Sequence, residues 1–141
     1  TNVFLIRDPR EMLASLLKVY PEAQLPDTGL PQQVELFEEV ARGTGRTPLV
    51  IDARDVLLDP RAMLSKVCEA LDVPFDDRML SWPSGGRETD GIWARHWYAS
   101  VNASTGFEPY EPKADRLDPR HLALLEQCLP CYEKLYAARL T

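Results

Sequence analysis

Two short apolar runs, Val3-Phe4-Leu5-Ile6 and Pro48-Leu49-Val50-Ile51-Asp52, stand apart from longer segments in which apolar residues recur at helical spacing. A run of that length without polar alternation predicts a strand buried on both faces, as in a parallel sheet. The first helical pattern follows Pro9 and places Met12, Leu13, Leu16, Leu17 and Tyr20 on one face. A second covers 32–42, with Val34, Phe37, Val40 and Ala41 inward. A third covers 60–71, with Met63, Leu64, Val67, Cys68 and Leu71 inward. A short helix is predicted over 76–82. The last helix starts at Asp118 and carries Leu122, Leu125, Leu129, Tyr132 and Tyr136, with Pro130 expected to kink or split it. Strand, helix, helix, strand, helix is an α/β rhythm.

Local chemistry sets the boundaries. Asp-Pro occurs at Asp8-Pro9, Asp59-Pro60 and Asp118-Pro119, each time ahead of a helical pattern. Aspartate caps the free N–H groups of a first turn, and proline suits the first helical position. Glu11 stands where a capping-box acid belongs. The segment Pro83-Ser-Gly-Gly-Arg-Glu-Thr-Asp-Gly91 has strong turn chemistry, and the stretch after it is dense in aromatics and hydroxyls.

The 141 residues suffice for one domain with a core, and 45% hydrophobic with 27% charged residues is ordinary for a globular protein. The net charge of −6 argues against a nucleic-acid surface. No apolar run approaches a membrane span and no signal peptide is visible, so the expectation is a cytoplasmic protein without a membrane partner. The chain begins at Thr1 and enters a strand at once, with one other good core strand. Two parallel strands do not make a stable sheet by themselves. The expectation is therefore the C-terminal portion of a longer domain, with any phosphate loop upstream.

The candidate chemistry starts at Arg7. A buried strand ends in this arginine, Asp8-Pro9 opens a helix, and Ser15 lies two turns into it, off the apolar face. That arrangement puts a cation and a hydroxyl near the carboxyl edge of a sheet, where open α/β folds bind anions. The plainer alternative is a salt-bridged surface arginine beside a capped helix.

The Arg7 to Ser15 interval resembles the segment of sulfotransferases that holds the 3′-phosphate of the donor, 3′-phosphoadenosine 5′-phosphosulfate. Two further segments match in order. Pro48 to Asp55, followed by Asp59-Pro60 and a helix ending Ala70-Leu-Asp-Val-Pro-Phe75, is similar to the family's later strand, acidic turn and helix. Ala53-Arg54-Asp55 stands where the family has a turn whose tyrosine contacts adenine, and Asp55 is read as a turn cap. Gly85-Gly-Arg87-Glu-Thr-Asp-Gly91-Ile-Trp93 is similar to the loop that closes over the 3′-phosphate, with Ala94 in place of its final lysine. The run 90–107 resembles a bacterial sulfotransferase-like subgroup, and related domains occur in proteins named as branched-chain aminotransferase-like. Nothing in the chain resembles pyridoxal-phosphate machinery.

The resemblance implies a P-loop-type three-layer α/β/α fold and an intact protein that transfers a sulfuryl group to a hydroxyl or amine of a small-molecule acceptor. This portion alone is expected to be inactive. Arg7, Ser15, Arg87, Gly91 and Trp93 would contact the donor, and no metal is implied. Two other readings stand beside it: a P-loop nucleoside or small-molecule kinase-like enzyme, and a non-catalytic sulfotransferase-like interaction domain.

The remaining motifs have plainer readings. His96 is a catalytic candidate, with packing among Trp93, Trp97 and Tyr98 as the alternative. His121 is expected near the surface. Cys128-Leu-Pro-Cys131 falls inside a helical pattern, where a redox pair would need a helix N-terminus, and no second ligand pair is spaced for zinc. Core packing is expected. The sequon Asn102-Ala-Ser104 is read as chance.

Overall fold

The structure is a computed structural model that describes residues 1–92, 94, 98–112 and 117–141. Strands β1 (Val3–Ile6) and β2 (Leu49–Asp52) pair in parallel, with Val3 opposite Leu49 and Ile6 opposite Asp52. The crossover between them carries α1 (Pro9–Val19), a 3-10 turn (Leu25–Thr28) and α2 (Leu30–Thr44). After β2 come α3 (Ala53–Leu58) and α4 (Pro60–Leu71), a 3-10 turn (Asp77–Leu80), the short α5 (Ala99–Ala103) and a further 3-10 turn (Pro119–His121). The last helix is α6 (Leu122–Tyr136). The parallel pair and the helices starting at Pro9 and Pro60 follow the sequence expectation for an α/β chain.

The sheet gains a further partner at the end of the chain. Arg139 bridges Val50 in parallel, and Leu140 N–H donates to the Val50 carbonyl at 2.8 Å. The second edge of β2 is thus paired by a segment with no strand pattern of its own. At β1, Gln33 Nε2 reaches the Leu5 carbonyl at 3.4 Å from α2.

Among the described residues, two clusters make the core. One joins α1, the start of α2 and α6 through Leu13, Leu17, Leu30, Leu125 and Cys128. The other joins the sheet to α6 through Ile6, Val50 and Leu135, with Phe4 edge-on to Phe37 at 5.7 Å. Helix α6 therefore presents Leu125, Cys128 and Leu135, with Tyr132 partly buried, while Leu122 and Leu129 are exposed. This corrects the expected stripe. The segment is apolar nearly all round, so two faces satisfied the period and packing chose one. Tyr20 is also exposed, because α1 ends at Val19 and the chain turns away.

Pro130 neither splits nor ends α6, which runs through it. The carbonyl it leaves unpaired is that of Glu126, and both residues are exposed, so water can take the bond. Buried residues on both sides, Leu125 and Leu135, hold the helix together. Helix α2 is longer than its apolar pattern at both ends. Pro31 occupies its first turn, and it continues past Gly43 to Gly45, whose φ of 67° ends it in the left-handed conformation.

The helix caps follow the aspartates. Asp8, Asp59 and Asp118 each accept a backbone N–H of the first turn, at 2.8, 2.9 and 3.0 Å. Asp55 is not a cap: it pairs with Arg139 at 3.0 Å, and Asp52 instead caps α3 by accepting Arg54 N–H at 2.7 Å. Asp52 is 1% exposed, and its other oxygen accepts from Tyr132 Oη at 2.8 Å. Burial first, then this bond, pushes the Tyr132 phenol well above its ordinary pKa.

Tyr132→Phe is expected to cost ~1–3 kcal/mol, because it strands a buried carboxylate oxygen. The folded protein also holds the phenol proton more tightly than the unfolded chain. That stability is present below about pH 10, the ordinary tyrosine value, and is lost as pH rises beyond it. Urea midpoints measured across alkaline pH should fall more in the wild type than in the variant, where the raised Tyr110 phenol still contributes.

Candidate functional site

Arg7 leaves β1 at its carboxyl end. With Ile6 opposite Asp52, Arg7 and the first turn of α3 emerge there side by side. The guanidinium is held by Glu11, whose Oε2 accepts from Nε at 3.2 Å and from Nη2 at 3.1 Å. Glu11 Oε1 accepts from Tyr110 Oη at 2.5 Å, and the Arg54 guanidinium lies over the Tyr110 ring, 5.6 Å from its centroid. The bond to Glu11 raises the Tyr110 phenol above its ordinary pKa. Glu11 is thus not the second half of a capping box. Asp8 alone caps α1, and the Glu11 side chain turns to two stronger partners.

The salt-bridged arginine and the anion site, left open by the sequence, coexist. The Arg7 side chain is 36% exposed and lines a hollow of about 840 Å³ with Glu11, Trp82, Ser104, Phe107 and Tyr110. Ser15 lies on the same helix, but it is not part of this wall. Its hydroxyl donates to the Glu11 carbonyl at 3.3 Å and has further interactions.

The glycine-rich loop lies elsewhere. Arg87 and Gly91 line a second hollow of about 460 Å³ with Asp90, Ala94 and Asn102. Its turn is closed by Arg87 N–H donating to Asp90 Oδ2 at 2.8 Å, and Gly85, with φ of 110°, donates its N–H to the Asn102 carbonyl at 2.7 Å. A small third hollow joins the two regions: Trp82 and Val101 border it and the Arg7 hollow, while Arg87 borders it and the second. Arg7 and Arg87 therefore face different hollows on either side of Trp82. Trp93 and His96 lie outside the described residues.

Trp82 is locked in place. Its indole N–H donates to Ser104 Oγ at 3.0 Å, its backbone N–H donates to the Thr105 carbonyl, and its ring meets Phe107 edge-on at 5.3 Å. Gly106, which bridges Ser81, has little room for a side chain: a Cβ there would sit 3.1 Å from the Leu80 carbonyl oxygen. Neither Trp82 nor Tyr110 belongs to a motif that marks it as a site residue in the sequence. A tryptophan directly ahead of a glycine-rich loop was a usable sign for the first. For Tyr110 there was none, since it meets Glu11 across 99 residues.

The three cysteines are free thiols, and Cys128 is fully buried on α6, where burial raises its pKa. Among the described residues no group of three His, Cys, Asp or Glu could hold a metal ion. No helix among them is long and apolar enough to cross a membrane. His121 is partly buried.

The sequence that builds the carboxyl edge of the sheet matches a known family. The sequence profile described as "sulfotransferase domain" matches residues 1–139. The chain belongs to the sulfotransferase family. Two Arabidopsis thaliana proteins are similar to it over part of their length. Branched-chain-amino-acid aminotransferase-like protein 2 is 37% identical over 134 residues, and branched-chain-amino-acid aminotransferase-like protein 1 is 38% identical over 134 residues. Each alignment covers 95% of this chain and 24% of the relative, so this sulfotransferase-family chain spans about a quarter of their length. No solved structure matches it significantly.

Proposed function

We propose that the intact protein transfers a sulfuryl group from 3′-phosphoadenosine 5′-phosphosulfate to a hydroxyl or amine of a small-molecule acceptor. The observation that carries the reading is Arg7, placed at the carboxyl end of a parallel strand and lining an open hollow in a sulfotransferase-family domain. Arg7 would take the 3′-phosphate, and Ser15, outside the wall of the hollow, would have to turn from the Glu11 carbonyl to share it. Arg87 and Gly91 belong to a separate loop that must move toward Arg7 to share one phosphate. In-line transfer asks mainly for positioning and charge neutralisation, so no covalent intermediate on this chain is needed. The remaining layers of a three-layer P-loop fold, its phosphate loop included, belong to the upstream part of the proposed domain, and the bacterial sulfotransferase-like subgroup is our proposed placement.

A second reading is a sulfotransferase-like domain that has stopped binding donor. Glu11 already occupies Arg7, and alanines stand at 53 and 94 where the resemblance has an adenine contact and a lysine. One measurement separates the two. Calorimetry on the full-length protein should show adenosine 3′,5′-bisphosphate bound at least about tenfold more tightly than adenosine 5′-phosphate, a difference of ~1.4 kcal/mol for the extra phosphate. Equal affinities, or no binding of either, would exclude the transfer reading.

A further inference from the structure

We infer that the Arg7 site is self-occupied in the ligand-free protein: the Glu11 carboxylate stands where an incoming anion must go, and Tyr110 holds it there. The inference rests on the anion-site reading of Arg7 given above, and it concerns how that site is regulated. Its basis is the contact geometry. One oxygen of Glu11 accepts two guanidinium N–H groups, at 3.2 and 3.1 Å, and the other accepts the Tyr110 hydroxyl at 2.5 Å. The Glu11 side chain is only 13% exposed, and all three residues line the same hollow. The carboxylate is therefore held from two sides, inside the cavity.

A phosphate group reaching Arg7 with Glu11 in place would bring two like charges to one guanidinium, in a half-buried setting where screening is weak. The carboxylate must then rotate away, and the Tyr110 hydrogen bond breaks with it. Tyr110 belongs to the segment that forms the opposite wall of the hollow together with Phe107 and Pro109. Displacing Glu11 thus unties that wall from α1. Anion binding at Arg7 and the position of this wall become coupled, and the coupling is reciprocal. Whatever firms the contact between Tyr110 and Glu11 opposes anion entry, and an anion on Arg7 frees the wall to adjust around a bound partner.

Inorganic phosphate is the probe, because it tests the charge contest without the nucleoside. Titrations followed by NMR on the full-length protein should show Glu11→Gln binding phosphate about two- to fivefold more tightly than wild type, the scale of one charge interaction near a surface. The amide keeps the shape and the acceptor for Tyr110 but not the charge. Tyr110→Phe should also gain, by a smaller factor, because the carboxylate remains and loses one of its two holds. The Arg7→Ala, Glu11→Gln double variant should bind phosphate no better than wild type. The inference is overturned if Glu11→Gln binds phosphate no better than wild type, or if the double variant still binds it better than wild type. If Glu11→Gln gains for phosphate but binds adenosine 3′,5′-bisphosphate no better than adenosine 5′-phosphate, the self-occupied site stands and the sulfotransferase reading falls.

Discussion

Arg7→Ala in the full-length protein is expected to weaken binding of adenosine 3′,5′-bisphosphate by ~1.5–3 kcal/mol, the usual scale for a hydrogen bond to a charged group. Adenosine 5′-phosphate, which lacks the 3′ group, should be hardly affected. The loss should fall at the upper end of that range for a structural reason. Removing Arg7 takes away the cation and leaves Glu11 in the hollow, still held by Tyr110. The variant site is then not neutral but negative, and it repels the dianion. Calorimetry with the two nucleotides reads the difference directly. Equal losses for both would mean that Arg7 serves another phosphate or the fold, and the kinase-like alternative would move ahead.

Leu135→Ala is expected to destabilise the domain by ~2–5 kcal/mol, the range for truncating a buried leucine where the neighbours cannot close the gap. Leu135 is fully buried, and its cluster includes Ile6 of β1 and Val50 of β2. Those two residues sit on paired strands whose register also sets where Arg7 emerges. The strands cannot shift to fill the cavity without disturbing that register. Leu129→Ala on the same helix removes an exposed side chain and should change stability by less than about 0.5 kcal/mol. Urea unfolding of the two variants in the full-length protein makes the comparison. Equal effects would show that α6 does not pack on the sheet through Leu135.

Both predictions depend on contacts that sequence patterns reveal unevenly. Leucines at 122, 125 and 129 are interchangeable to a periodicity argument, and only the packed helix distinguishes the buried Leu125 from the exposed Leu122 and Leu129. Asp52 reads as the polar end of a strand. Its burial beneath Tyr132 is a pairing across 80 residues. The strand-like bridge from Arg139 to Val50 is similarly silent, since a two-residue pairing has no period to detect.

What the chain alone determined is local. Unbroken apolar runs made β1 and β2, but the burial on both faces that such runs predict did not follow at β1: Phe4 and Ile6 face the core while Val3 and Leu5 are exposed. Asp-Pro pairs set the starts of α1 and α4 and the last 3-10 turn, because capping and a missing N–H act within one turn. Arg7 at the end of an apolar strand, with Ser15 on the helix after it, was legible for the same reason, and so was the family resemblance that the sulfotransferase profile bears out. The tertiary structure decided the rest. It set Glu11 against Arg7 in place of the helix cap, brought Tyr110 across the hollow to hold it, and put Trp82 between the Arg7 and Arg87 hollows. A side chain's partner depends on which charges and walls folding delivers to it, and a carboxylate offered an arginine and a phenol takes them over a single backbone N–H.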